Sequence, residues 1–366
     1  MGHNDQLYGR RYVPPGTGDQ GTIASGMDAD AKQSRHGQCW HGDELNPWGN
    51  PKMAESSSME SRYSGALLGL AVGDALGTTL EFSTPGTFDP ITDMLGGGPF
   101  NLKPGEWTDD TSMALCLAES ILETGGFDPV DQMQRYVRWR DEGHLSSTGE
   151  CFDIGVATSR ALDGFTQWGE PYAGSIDPKT AGNGSLMRLA PIPMRWRTDL
   201  AETAHYAALS SRTTHAAPEA IDACRYYAVL IALALDGVSK DQLLKSNLGY
   251  LEVFQKNPLS TAIAQIAAGS YRELKPPEIR GSGYVVHTLE AALWALATTD
   301  DFRSGLLKVV NLGEDSDTTG AVYGQLAGAI YGINEIVPKW RERLALRELI
   351  ERFAFGLLSH SEQWRS

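Results

Sequence analysis

Two short acidic segments concentrate the residues best suited to chemistry. Trp107-Thr108-Asp109-Asp110-Thr111-Ser112 stands immediately before the run Met113-Ala114-Leu115-Cys116-Leu117, and Gly313-Glu314-Asp315-Ser316-Asp317-Thr318-Thr319-Gly320 stands before a second run of small, apolar residues. Both places read as helix N-termini, where Asp, Ser and Thr are preferred caps and carboxylates are favoured by the helix dipole. Capping alone would account for one such cluster. The second, however, stacks three carboxylates and three hydroxyls into six residues, more than one helix end can use, and like charges so close repel unless a cation lies between them. Hard oxygen donors without His or Cys select magnesium, manganese or calcium over zinc or copper, and magnesium is the ion expected. An EF-hand is excluded because the Gly at the sixth and the Glu at the twelfth loop position are missing. The D-x-D-T-T pattern of aspartyl phosphatases is excluded because it should follow a buried parallel strand, and none precedes Asp315.

Helices must position these groups. Gly65, Gly69, Gly73 and Gly77 recur at every fourth position of one small, apolar stretch, and Gly320, Gly324, Gly328 and Gly332 do so in another. Glycine at i, i+4 strips one helix face of side chains, at about 1 kcal/mol per residue relative to Ala, unless another backbone must come close. Two such helices are expected to pack on each other. A membrane role for the G-x-x-x-G spacing is set aside, since Asp74 lies inside the first stretch and both are short with polar flanks. Apolar residues at i, i+3, i+4 spacing predict further helices over 111–122, 129–140, 154–162, 200–210, 218–235, 261–268 and 286–296, and 337–358 predicts a C-terminal helix pair closing the core. No stretch alternates as a strand does. The predicted fold class is all-α, a compact orthogonal helical bundle.

The 366 residues, 41% of them apolar, suffice for a folded enzyme. A formal charge of −15 argues against nucleic-acid partners, because phosphate binding needs clustered Lys and Arg. Cys39, Cys116, Cys151 and Cys224 are widely spaced, which suggests neither a zinc site nor a disulfide framework and fits a reducing cytoplasm. No secretory leader is seen at Met1–Arg11 and no run is long enough for a membrane span. Residues 1–60 are polar, lack periodicity and carry Tyr8, Tyr12, Trp40 and Trp48; they read as an N-terminal extension to a domain over 61–366.

Four motifs, in this order, make the chain resemble the ADP-ribosylglycohydrolase family over roughly residues 63–358. They are Gly65-x-x-x-Gly69-x-x-x-Gly73-Asp74-Ala75-Leu76-Gly77 with Glu81 following, Trp107-Thr108-Asp109-Asp110-Thr111, Gly182-Asn183-Gly184-Ser185-x-Met187-Arg188, and Gly313-Glu314-Asp315-x-Asp317-Thr318-Thr319-Gly320. The resemblance implies an all-α fold and a dimagnesium centre, with manganese as the alternative, held by Thr108, Asp109, Asp110, Asp315, Asp317 and Thr318. It implies hydrolysis of the glycosidic bond at ribose C1″ through an oxocarbenium-like state, for which a carboxylate and a positioned water are needed. Glu81 and Asp110 are the catalytic candidates. Gly182, Asn183, Gly184 and Ser185 match the loop that binds ADP-ribose, where backbone N–H groups can approach the ligand closely. Alone, G-N-G is an ordinary turn. His215, in the pair Thr214-His215, matches a hydrogen-bonding or shaping residue near the substrate.

The family acts on ADP-ribose attached to arginine or serine, or on small acetylated esters, and the resemblance favours an arginine-linked protein. Some members are immunity proteins against ADP-ribosyltransferase toxins, and residues 1–60 are expected to block such a toxin. Two competing readings are a catalytically silent binding protein, against which the complete ligand set speaks, and a hydrolase of small ADP-ribose esters.

Overall fold

Local caps set where the helices begin. Ser58 accepts a hydrogen bond from the Ser61 N–H at 3.1 Å and starts α1 (Met59–Gly77). Asp128, accepting from the Val130 and Asp131 N–H groups with Pro129 in the first turn, starts α3 (Pro129–Glu142), which ends at a left-handed Gly143. Between them lies α2 (Asp109–Thr124), and the order continues α4 (Val156–Trp168), α5 (Pro191–Trp196), α6 (Leu200–Arg212), α7 (Pro218–Leu235) and α8 (Lys240–Lys245). Then follow α9 (Glu252–Lys256), α10 (Thr261–Ala267), α11 (Val285–Ala297), α12 (Phe302–Val310), α13 (Ser316–Tyr331), α14 (Pro338–Arg343) and α15 (Arg347–Gln363).

The computed structural model describes residues 57–245 and 251–363, so the expected extension falls outside the described residues but for its last four. Among the described residues there is no strand, only isolated bridge pairs such as Gly182 with Tyr284. The fold is all-α, as predicted. None of these helices is long and apolar enough to cross a membrane.

The two glycine helices form the axis of the fold. A Cβ on Gly65, Gly69 or Gly73 would lie 2.2, 2.3 or 2.1 Å from the carbonyl oxygens of Gly328, Gly324 and Gly320, so α1 and α13 run antiparallel in direct backbone contact. Nothing larger than hydrogen fits. This contact places the C-terminal end of α1, with Asp74, against the N-terminal end of α13, where the Ser316 hydroxyl donates to the Gly77 carbonyl at 2.8 Å. α7, α11 and α12 pack around α13, and α15 closes the core over α1, α2 and α5. Tyr63 ties the last of these together, donating to the Met194 carbonyl at 2.7 Å with Ser361 at 3.0 Å.

Two boundaries differ from the predicted ones in a way that bears on the site. α2 begins at Asp109 rather than at residue 111, so both aspartates lie in its first turn. α4 begins at Val156 rather than at 154, because Asp153 has a left-handed backbone (φ 58°) and Gly155 is the cap.

Candidate functional site

The first cluster does not cap its own helix. Thr108, at the N-cap of α2, makes no side-chain capping bond. The free N–H groups are instead taken by Asp74 of α1: its Oδ1 accepts from the Thr108 N–H (2.9 Å) and hydroxyl (3.0 Å), and its Oδ2 from the Thr111 N–H (3.0 Å) and hydroxyl (2.6 Å). Asp74 is fully buried, and in the sequence it stands only as part of the glycine motif. Because it supplies the cap, Asp109 and Asp110 are released from that role.

The same holds at α13. Asp315 sits at the N-cap position without a side-chain capping bond, and its Oδ2 accepts from the Asn183 amide at 2.6 Å. That amide also reaches the Thr288 hydroxyl at 2.9 Å. Asn183, expected at the substrate, thus has its side-chain donor committed to holding Asp315, while its backbone N–H donates to the Gly283 carbonyl at 3.2 Å. Close packing of α1 on α13 and α2 brings Asp110 and Asp317 to either side of the Thr108 hydroxyl, at 3.2 and 3.3 Å.

Glu81 follows α1 by one short 3-10 turn and is 5% exposed. One oxygen each of Glu81, Asp153 and Asp317 falls within 4.8 Å of the others, and the same is true of Asp74, Asp110 and Asp317. Asp153 was missing from the residues chosen by sequence. It is a lone carboxylate without a cluster around it; the one available signal was its place just before a predicted helix, like the other two acidic groups.

Electrostatically the centre is one-sided. Burial first, and then neighbouring carboxylates, hold Asp109, Asp110 and Asp317 well above the usual carboxylate range. Burial and the charges of Asp153 and Asp315 push Glu81 up to about 10, and burial with Asp315 and Asp74 pushes Asp153 up to about 7. Asp110 Oδ1, Asp317 Oδ1 and Glu81 Oε2 are buried with no hydrogen-bond donor among the described residues. A buried, undonated carboxylate oxygen is costly, so these atoms fit a site for hard divalent cations, which supply the missing positive charge. Asp74 is the exception, since both its oxygens already have two donors each. We therefore read it as a positioning group rather than a ligand.

These residues open onto a cleft of about 560 Å³ lined by Glu81, Asp109, Asp153, Asp315 and Thr318 on one part and by Gly182, Asn183 and Gly184 on another. A second cleft of about 700 Å³ adjoins it, sharing Val156, Ala157, Gly182 and Gly283. The loop Gly182–Gly184 is shaped from behind by His215: a Cβ on Gly184 would come 2.7 Å from the imidazole Cε1, and one on Gly182 would come 3.4 Å from Nε2. The Arg188 guanidinium donates to the Thr214 hydroxyl (2.8 Å), whose oxygen lies within hydrogen-bond distance of His215 Nδ1 (2.8 Å). His215 is 4% exposed, and burial followed by the Arg188 charge lowers its pKa to about 3. It is neutral near pH 7, packs behind the loop and does not line the cleft. Ser185 does not either: its hydroxyl lies 2.8 Å from that of Ser211 and accepts from the Cys224 thiol at 3.4 Å, inside the core. Any contact of Ser185 with a ligand would have to come from its backbone.

Comparison with known proteins gives a consistent picture. The family model described as ADP-ribosylglycohydrolase matches residues 55–366. The ADP-ribosylarginine hydrolase Tri1 of Pseudomonas putida (strain GB-1) is 44% identical over 302 residues, which are 82% of this chain and 79% of that protein. The ADP-ribosyl-[dinitrogen reductase] glycohydrolase of Rhodospirillum rubrum is 31% identical over 79% of this chain and 92% of its own length. A solved structure titled "ADP-ribosylglycohydrolase-related protein complex" superposes with a TM-score of 0.72 at 46% identity, covering 83% of this chain and 99% of that one.

Proposed function

The chain belongs to the ADP-ribosylglycohydrolase family, and from that premise we propose that it removes ADP-ribose from arginine side chains of modified proteins, using two magnesium ions. The observation that carries this reading is the convergence of buried Asp109, Asp110, Asp315 and Asp317, with an undonated buried oxygen on each of Asp110 and Asp317 and other carboxylates as the charged neighbours that raise Asp109, Asp110 and Asp317. Thr108, Asp109, Asp110, Asp315, Asp317 and Thr318 would hold the ions, manganese serving as the substitute. When bound, such ions neutralise the carboxylates and orient ribose hydroxyls and water. Arginine is favoured because Tri1 relatives at 44% and 43% identity are ADP-ribosylarginine hydrolases.

The protein's own residues then divide the work. Asp110 is fully buried and lies behind the cleft wall, which suits metal binding, whereas Glu81 and Asp153 line the cleft. Glu81 and Asp153 are hydrogen-bonded to each other, which suits the pair to share a single proton and pass it on. As the bond from ribose C1″ to the guanidine nitrogen breaks, its electron pair leaves with nitrogen, and the pair supplies the proton that nitrogen needs. Water oxygen bonds to C1″, and its released proton returns to the carboxylate left behind. Atoms and charge balance: ADP-ribose and unmodified arginine result.

Residues 1–60 are proposed as an extension that also blocks an ADP-ribosyltransferase toxin, making the protein an immunity factor of the cytoplasm. The family match beginning at residue 55 supports the boundary, and the free Cys116, Cys151 and Cys224 support a reducing compartment. One experiment tests both parts: incubate full-length protein and a variant starting at Ser57 with arginine-, serine- and acetyl-ester-linked ADP-ribose, and separately with an active transferase. Release from arginine by both proteins, with transferase inhibition by the full chain alone, is expected. Release from serine or the ester only would overturn the arginine assignment, and equal transferase inhibition by both would overturn the role of the extension.

A further inference from the structure

Six described residues other than glycine have a left-handed backbone, and three of them, Phe82 (φ 58°), Asp153 (φ 58°) and Glu314 (φ 57°), line the cleft that holds the carboxylates. That conformation is unfavourable for any residue with a Cβ and most of all for a bulky one, so where it persists the surroundings must impose it. At Phe82 they do. Its N–H donates to the Glu314 carbonyl at 2.6 Å, and the Glu314 N–H donates to the Ser83 carbonyl at 2.8 Å, a two-bond clasp holding both strained residues together. The outcome is unusual for a phenylalanine: the residue is 68% exposed at the cleft, although Glu81 immediately before it is 5% exposed. Core packing does not explain a ring left in solvent at the mouth of an acidic site. Glu314 adds a carboxylate. Its Oε1 accepts from Arg280, while Oε2 is buried without a partner among the described residues.

An aromatic face beside a partly exposed carboxylate that already accepts from one guanidinium, that of Arg280, is a receptor for a planar cation. A guanidinium fits it in particular, stacking on the ring and donating N–H groups to the carboxylate. Arginine keeps its charge and its plane when one nitrogen is joined to ribose C1″, whereas a serine ether or an acetyl ester offers neither. We propose that Phe82 and Glu314 form the subsite for the arginine side chain of the ADP-ribosylated protein, Phe82 stacking on the guanidinium and Glu314 accepting from it. This rests on the arginine reading given above.

The test uses the full-length protein with magnesium, an ADP-ribosylarginine peptide as substrate, and ADP-ribose itself as the probe for binding by calorimetry. Phe82→Ala is expected to raise KM for the peptide about tenfold with kcat within about twofold of wild type, the mark of lost uniform binding. Affinity for ADP-ribose should be unchanged, and Phe82→Tyr should restore KM. An unchanged KM in Phe82→Ala would overturn the subsite while leaving arginine hydrolysis standing. An equal weakening of ADP-ribose would also overturn it, since the ring would then serve the nucleotide or the local fold. A wild-type protein inert toward the peptide would remove the arginine reading itself, and this proposal with it.

Discussion

At the scale of single residues, the site depends on who satisfies whom. Asp74 caps α2 from another helix, and Asn183 holds Asp315 from a loop, while Asp110 and Asp317 each keep one buried oxygen without a donor. Sequence displayed the donors as types: the Asp pairs and Glu81 were legible because they are clustered or attached to a motif. Asp153 was not, since nothing local marks a lone carboxylate whose partners lie 72 positions before it and 164 after it, at Glu81 and Asp317. Nor does a motif say which way its side chains point, and so Ser185 reads as a ligand residue although its hydroxyl faces the core. His215 permits a prediction with a definite sign. Its folded pKa, lowered to about 3, lies below the ordinary value near 6.5, so the unfolded chain binds the extra proton first. The neutral state's contribution is therefore complete above about pH 6.5 and is lost as pH falls toward the folded value. Between pH 7.5 and pH 5, wild type should lose on the order of 1–2 kcal/mol more stability than His215→Gln, measured by urea unfolding at both pH values. A parallel loss in the two proteins would show that His215 is protonated in the fold.

At the scale of elements, periodicity served well where a helix has one buried face. α7 was predicted to the residue, and α3, α6, α10 and α11 to within two at each end. Boundaries failed where a distant group supplied the cap, as Asp74 does for α2. Short helices such as α5, α8 and α9 were not predicted because five or six residues carry too little pattern. α12 was missed despite the Asp301 cap that accepts from the Ser304 N–H at 2.7 Å. The glycine spacing, in contrast, anticipated a tertiary contact, because only a close backbone rewards so many adjacent turns without side chains. That contact is also what aligns the two acidic clusters. Gly73→Ala would put a Cβ 2.1 Å from the Gly320 carbonyl oxygen, so α1 and α13 must separate. The expected loss is about 2–4 kcal/mol of stability together with weaker magnesium binding, read by thermal unfolding and calorimetry. Wild-type stability in this variant would contradict the backbone contact.

At the scale of the whole molecule, the charge of −15 has a concentrated source. Seven carboxylates, Asp74, Glu81, Asp109, Asp110, Asp153, Asp315 and Asp317, interact around one centre, contributed by four segments far apart in sequence. A fold does not gather so many acids, strain Phe82, Asp153 and Glu314 beside them and leave oxygens undonated for stability alone. The most direct test is release of ADP-ribose from an arginine-ADP-ribosylated protein, by wild type with magnesium, by wild type with EDTA, and by Asp109→Ala/Asp317→Ala with magnesium. Release by the first, falling at least about 100-fold in the other two, is the result this structure predicts. Equal release in EDTA, or by the double variant, would contradict a metal-dependent hydrolase built on these carboxylates.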